Sequence, residues 1–457
     1  MHNIKGFAIF FVNDWGTGIF YKPEGFVMSV MQQGTSLPRM TQEELNELLK
    51  LHAMYITGRM GGRRLMLKQV DLSGLSFFGQ DLRQAHLVAC NMQEMDFSGA
   101  NFREASLYAC DLRRAILKDT CFIRADLRGA RIESADLSGA NLEQADLRRG
   151  GLSTDGDFGH PGYDVTFKGA NLSGAELSGS MASNADFSDA IMAKTNLRNA
   201  SLPGAKFEGA DMTDAEIMGA KLNGASMKST ILTGVSLSEI RNSGVDVSDT
   251  INDENAGKSV EDIRHELEDL IKEHRVWVSS VGKQGKHLDL SGYDLRPLIT
   301  LADRKLTALK AEGAHWCGMD LTNIELQSCK MDGADFRRCY MQNCDLRASS
   351  FKDAMFIHAD MRGCNLDPLF FRVGEERKAK IVSLDGANMR YANFSGGSLR
   401  QVSFRDADVS FADFTDCNLS GADFRGAKTE NAIFDGAKTD HTKFDSGTVP
   451  VVATGSE

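Results

Sequence analysis

Residues 125–149 read Ala-Asp-Leu-Arg-Gly, Ala-Arg-Ile-Glu-Ser, Ala-Asp-Leu-Ser-Gly, Ala-Asn-Leu-Glu-Gln and Ala-Asp-Leu-Arg-Arg, one five-residue unit written five times. A small residue stands first, a polar residue second, an apolar residue third, and two mostly polar residues follow. A period of five matches neither the 3.6 residues of a helical turn nor the two-residue alternation of a strand, so neither element can keep the third position buried over this length. A square coil can. If each pentad forms one side, the third residue points to the axis with the small first residue beside it, and the other three face water. Four pentads then close a turn of about 20 residues, and turns stack at roughly the 4.8 Å spacing of hydrogen-bonded strands. The fold class that follows is an all-β solenoid in which each repeat contacts its neighbours along one buried column.

The third positions Leu72, Phe77, Leu82, Leu87, Met92 and Phe97 continue to Leu152, giving 17 pentads without a slip. On these residues the chain resembles the pentapeptide-repeat family, over roughly 300 of its 457 residues. The resemblance implies that family's right-handed quadrilateral β-helix.

Formal charge is −11 and the pI is about 5.5, which argues against a basic grip on nucleic acid and for an acidic surface. No apolar run approaches the roughly 18 residues needed to span a bilayer. The apolar stretch 6–12 is short, has no small-residue cleavage site after it, and does not read as a signal peptide. Of nine cysteines, Cys90, Cys110, Cys329, Cys339, Cys344, Cys364 and Cys417 fall at the small first position, while Cys121 and Cys317 are expected to face outward. Buried reduced thiols and a cytoplasmic location are the expectation.

Residues 1–40 carry no pentad and read as an N-terminal extension that could serve as a cap. Residues 41–64 read as a capping helix and a Gly-rich turn: Thr41 and Glu44 have capping-box spacing, and Leu45, Leu48, Leu49, His52 and Ile56 form one stripe. A first solenoid is expected over 65–250, with a loop insert at 155–164 taking the place of two coil sides. A linker and second capping helix follow over 251–287. There Ser259 is expected to cap the helix with Asp262 three residues on, and Leu267, Leu270, Ile271, His274 and Val278 match the first stripe, with Trp277 the counterpart of Tyr55. The second solenoid is expected over 288–446, slipping one residue near Pro297, and a polar tail over 447–457. Its insert at 367–380 separates the spokes Leu366 and Leu384 by three pentads and three residues more, and those three are expected to be extruded. Phe394, Phe414 and Phe434 on one side, and Phe404, Phe424 and Phe444 on another, predict two facing phenylalanine columns.

No glycine-rich phosphate loop, Gly-x-Ser-x-Gly elbow, paired-histidine zinc helix or Cys-x-x-Cys is present. The aspartates are ladder residues, and neither an enzymatic activity nor a cofactor is expected. Asp155, Asp157, His160 and Asp164 supply oxygen and nitrogen donors within ten residues and are the candidate metal ligands, set against a plain exposed turn. His52 and His274 read as half-buried structural residues. Phe370, Phe371, Glu375, Glu376, Arg377 and Lys378, two aromatics beside a mixed charge run, are the candidate partner-docking residues, set against phenylalanines that fold back over the coil.

The function that follows is a non-enzymatic scaffold, a rigid acidic solenoid that binds an unidentified protein partner, with a homodimer through a solenoid end as a further arrangement and no membrane or nucleic-acid contact. Two alternatives remain. A secreted effector lacks support in the N-terminal residues. A DNA mimic of the kind the resemblance to quinolone-resistance members implies, occupying a DNA-binding enzyme such as gyrase, is opposed by outward arginines: residues 70–154 hold ten basic against twelve acidic side chains, far short of two phosphates per base pair.

Overall fold

The computed structural model describes residues 37–151, 162–373 and 376–445. The chain divides into two compact units, 1–253 and 254–457, and each has its own buried hydrophobic cluster.

The first unit opens with α1, Gln42–Ile56. Thr41 Oγ1 accepts from the Glu44 N–H at 3.3 Å and the Glu44 carboxylate accepts from the Thr41 N–H at 2.9 Å, a complete capping box. Leu45, Leu49 and His52 are its buried stripe. The Gln42 side-chain amide bonds the Ser76 backbone in both directions, at 2.9 and 3.2 Å, so the helix is fastened to the first coil.

Coils begin with the parallel strands β1 (Met66–Lys68), β2 (His86–Val88) and β3 (Ser106–Tyr108), in register one coil apart, as in Leu67 to Leu87 to Leu107. Single bridges continue the same ladder on every side, as in Ser76 to Asp96 to Ile116 to Asp136. Phe97 N–H donates upward to the Ile116 carbonyl at 2.7 Å, and Ile116 N–H donates downward to Met95 at 2.9 Å. All third positions from Leu72 to Leu147 are at most 1% exposed. Each corner is a four-residue turn, such as Ala100 N–H to Phe97 O at 2.9 Å, with the fifth pentad residue at positive φ.

Both inserts leave the coil differently from the sequence expectation. Where the regular ladder would join Arg131 to Gly151, it joins Arg131 to Thr166, and likewise Asp146 to Met181, so three pentads' length of chain is extruded at one corner. No coil side is replaced. In the second unit Ser350 bridges Ser383 and Asn365 bridges Ser398, a displacement that extrudes the whole of 368–380 rather than three residues. The physical reason is the same in both. A side missing its apolar spoke would open a void in the column, whereas a corner lets the chain leave and return between two intact sides.

The pentads also stop short of Val247. Leu237–Asn242 form a short helix, α2, that buries Leu237 and Ile240. Apolar residues three apart suit a helical face, and a pentad there would have aimed the Asn242 amide down the axis. Ile251 rejoins the ladder against Ile231.

In the second unit β4 (Lys258–Ser259) pairs parallel with β5 (Tyr293–Asp294). Ser259 caps a 3-10 turn, Val260–Ile263, rather than the helix itself, and α3 starts later, at Leu267–Ser279. Asp289 bridges Lys310, one residue beyond the regular step, and Thr300 to Asp320 restores it. The extra residue is absorbed in the 3-10 turn Arg296–Leu298 and at Ile299, whose φ is +65. Trp316 is a fully buried spoke stacked on Phe336 at 5.5 Å. In the last coils Phe394, Phe414 and Phe434 stack at 5.1 Å, and Phe404, Phe424 and Phe444 at 4.5 and 5.1 Å. The columns meet edge to face at 79–90°, which suits the ring quadrupole. The extruded residues of this unit form an antiparallel hairpin, β6 (Leu369–Val373) with β7 (Glu376–Lys380).

Candidate docking surface

The sides of the coils are built from one small device. A second-position Asp or Asn accepts from the backbone N–H two residues on, as Asp96 Oδ1 does from Ser98 at 2.9 Å. Where the fourth residue is Arg, its guanidinium returns to the same carboxylate. Arg83 grips Asp81 at 2.7–3.1 Å, and Arg113 with Asp111, Arg128 with Asp126, Arg148 with Asp146, Arg347 with Asp345, Arg362 with Asp360 and Arg425 with Asp423 repeat the geometry. The Arg83 guanidinium holds the Asp81 carboxyl below the ordinary range, and Arg425, then Arg405, do the same for Asp423 against the opposing effect of burial. The Asp-Leu-Arg spacing is visible in the sequence, but that each carboxylate is neutralised within its own pentad is not.

Several polar first-position residues bond back to the coil below, Ser180, whose buried hydroxyl has no partner among the described residues, being an exception. The hydroxyls of Thr120, Thr195 and Thr230 donate to carbonyls 23 residues back at 2.7–2.9 Å, and Cys364 and Cys417 thiols do likewise at 2.8 and 2.9 Å. All nine cysteines are free; seven are buried, and Cys121 and Cys317 are partly exposed.

His52 and His274 hold equivalent positions. His52 Nδ1 accepts from the Leu65 N–H at 3.0 Å, and His274 Nδ1 from the Leu288 N–H at 3.1 Å, in each unit the residue that follows the leading helix and its turn into the coils. The proton is therefore on Nε2, which in His274 donates to the Thr307 carbonyl at 2.9 Å. Burial lowers both pKa values, and Tyr55 and Trp277 stack on the two rings at 5.9 Å.

Of the candidate metal ligands, Asp155, Asp157 and His160 lie outside the described residues. Asp164 is paired with Arg149, Nη2 to Oδ2 at 2.9 Å. Among the described residues no group of three or more His, Cys, Asp or Glu side chains is placed to hold a metal ion, and no helix is long and apolar enough to cross a membrane. The root of this insert is closed by the Gly150–Tyr163 bridge and by Tyr108, whose hydroxyl accepts from the Gly151 N–H at 2.9 Å and donates to its carbonyl at 3.0 Å.

The hairpin projects from a fixed root. Asp367, 9% exposed, accepts from the Ser398 hydroxyl at 2.7 Å, the Arg400 N–H at 3.2 Å and Arg400 Nε at 2.9 Å. Beyond it Phe370 and Phe371 are 51% and 46% exposed. Being adjacent in a strand, they project from opposite faces of the ribbon. Phe371 is the register partner of Lys378, and Arg372 that of Arg377; Glu376 pairs with Val373, and Glu375 lies outside the described residues. Arg372, Lys378, Ala379, Lys380 and Ile381 are exposed. Position 379, between the two lysines, lies opposite Phe370. A second aromatic row, His358, Tyr391 and Phe411, stacks at 4.9 Å on fifth pentad positions. The hairpin intervenes in sequence between its first two members, which hides that row from a search at the regular coil period.

The pentapeptide-repeat model matches eight times, over 81–119, 110–149, 163–202, 183–217, 305–343, 329–367, 383–421 and 417–444, together more than half of the chain. No curated protein matches the sequence. Among solved structures, the chain is similar to trypsin-treated QnrB1, a plasmid-mediated fluoroquinolone resistance protein, with 21% identity, 42% of this chain and 90% of that chain covered and a TM-score of 0.25. It is also similar to HetL, a pentapeptide repeat protein involved in heterocyst differentiation regulation from the cyanobacterium Nostoc, with 17% identity, 87% and 96% coverage and a TM-score of 0.15. Rfr23 from the cyanobacterium Cyanothece gives 18% identity, 33% and 95% coverage and a TM-score of 0.17. With its five-residue period, its ladder of stacked coils and eight matches to the repeat, the chain belongs to the pentapeptide-repeat family.

Proposed function

We propose that this protein is a non-enzymatic scaffold that binds another protein through the hairpin 369–380, and that α1 and α3 cover the entrances to the two coils. The exposed pair Phe370 and Phe371 on a rigidly rooted ribbon carries the reading. Aromatic anchors presented by a preformed backbone lose little entropy on binding, and such side chains dominate interface energies. Nine free cysteines suit a reducing compartment, the cytoplasm being the natural one. DNA mimicry is less well supported, because clamped arginines neutralise the carboxylates that would stand for phosphates.

Affinity capture from the native host with the full chain and with a variant lacking residues 368–380 tests this reading. Partners recovered by the full chain and lost from the variant, with both proteins giving the same circular dichroism spectrum, are expected. An identical set of partners on both proteins would overturn it.

A further inference from the structure

We infer that the hairpin recognises an extended protein segment in which acidic and apolar residues alternate, added as a third strand beside β7. The inference rests on the docking reading above and deepens it.

Three observations converge. The ribbon has only two strands, β6 and β7, so the outer edge of β7 has no strand partner among the described residues, and main-chain pairing to such an edge is a general mode of peptide recognition. The charge of the hairpin is opposite to that of the chain that carries it: between residues 369 and 380 stand four basic residues, Arg372, Arg377, Lys378 and Lys380, against two acidic ones, Glu375 and Glu376, in a chain of net charge −11. Lys378 and Lys380, two apart in β7 and both exposed, share one face, and Phe371 is the register partner of Lys378 on that face. A segment laid along β7 with carboxylates at alternate positions lies beside Lys378 and Lys380, and its intervening residues flank Ala379 on the face that also carries Phe370, Arg372 and Arg377.

The same charge pattern selects among partners. The hairpin offers four basic residues within twelve, and the net negative charge of the rest of the chain opposes an extended polyanion or an anionic bilayer that must be brought close over more than that length.

The test uses the full chain and a K378E/K380E variant with four probes: a labelled twelve-residue peptide of alternating Glu and Val, the same peptide with Lys for Glu, phosphatidylserine vesicles and a 20-base-pair DNA duplex. Fluorescence anisotropy is expected to show binding of the Glu peptide alone, weakened at least tenfold by the double charge reversal and by raising salt from 50 to 500 mM, with the variant now preferring the Lys peptide. Equal binding of the two peptides, no binding of the Glu peptide, or a preference for vesicles or duplex would each overturn the inference. Partner capture that depends on residues 368–380 but not on Lys378 and Lys380 would leave the scaffold reading standing and remove the acidic segment.

Discussion

His52 and His274 each hold the backbone N–H that begins a coil, and only a neutral imidazole can accept there. Removing the acceptor leaves a buried donor unpaired, so His52→Ala and His274→Ala are each expected to cost about 1–3 kcal/mol, measured by urea unfolding. The pH dependence follows from the direction of the shifts. Burial lowers the folded-state pKa of both groups, and of His86 and His315 as well. The unfolded chain takes up protons from about pH 6.5 downward while the native chain does not. Stability from these groups is therefore complete above that pH and declines as pH falls from it toward the folded pKa values. Melting temperatures read from pH 8 to pH 5 are expected to fall, and less steeply in the His52→Ala, His274→Ala double variant. At more acid pH the clamped carboxylates take over. Asp81 and Asp423 are held low, so their contribution is lost only below the ordinary carboxylate range. Arg83→Gln should return the Asp81 titration to that range by NMR.

A coil corner tolerates extruded chain while the sides stay intact, as both inserts show. Removing residues 368–380 takes out the extruded chain, sets Leu384 one pentad after Leu366, and leaves Val382 and Ser383 as the first and second residues of an unbroken pentad. That variant is expected to keep the full protein's β-sheet spectrum and to melt within a few degrees of it. Removing 370–380 instead leaves two surplus residues at the same corner, to be taken up there as the extra residue at 296–299 is, so the last coils are expected to stay folded with a lower melting temperature than the 368–380 deletion; loss of the β-sheet spectrum in either variant would contradict exit at a corner. The root of the first insert is less forgiving. A Cβ at Gly150 would stand 2.7 Å from the Arg128 carbonyl, a backbone atom that cannot swing aside. Gly150→Ala is expected to cost about 1–3 kcal/mol, with near-equal stability the contrary outcome in chemical denaturation.

Each unit carries a leading helix, a histidine latch and a separate apolar column, which is why residues 37–253 and 254–445 are expected to fold when expressed apart, each with one cooperative transition. His52→Ala should then lower only the first and His274→Ala only the second. Failure of either piece to fold would show that the columns are not self-sufficient. The five-residue period is local and repeated, so the inward spokes, the small first positions and the facing phenylalanine columns could all be read from a linear chain: their place depends on the nearest few residues and on a fixed step of four pentads. The aromatic pair at 370–371 was equally legible as an oddity. What the linear chain left open was where each insert leaves, how many residues it extrudes, that 237–242 turns helical, and which donor each histidine meets. Those are settled by backbone bonds between stacked coils, distant in sequence, and by the demand that the buried column have no gap, and neither constraint exists until the coils are stacked.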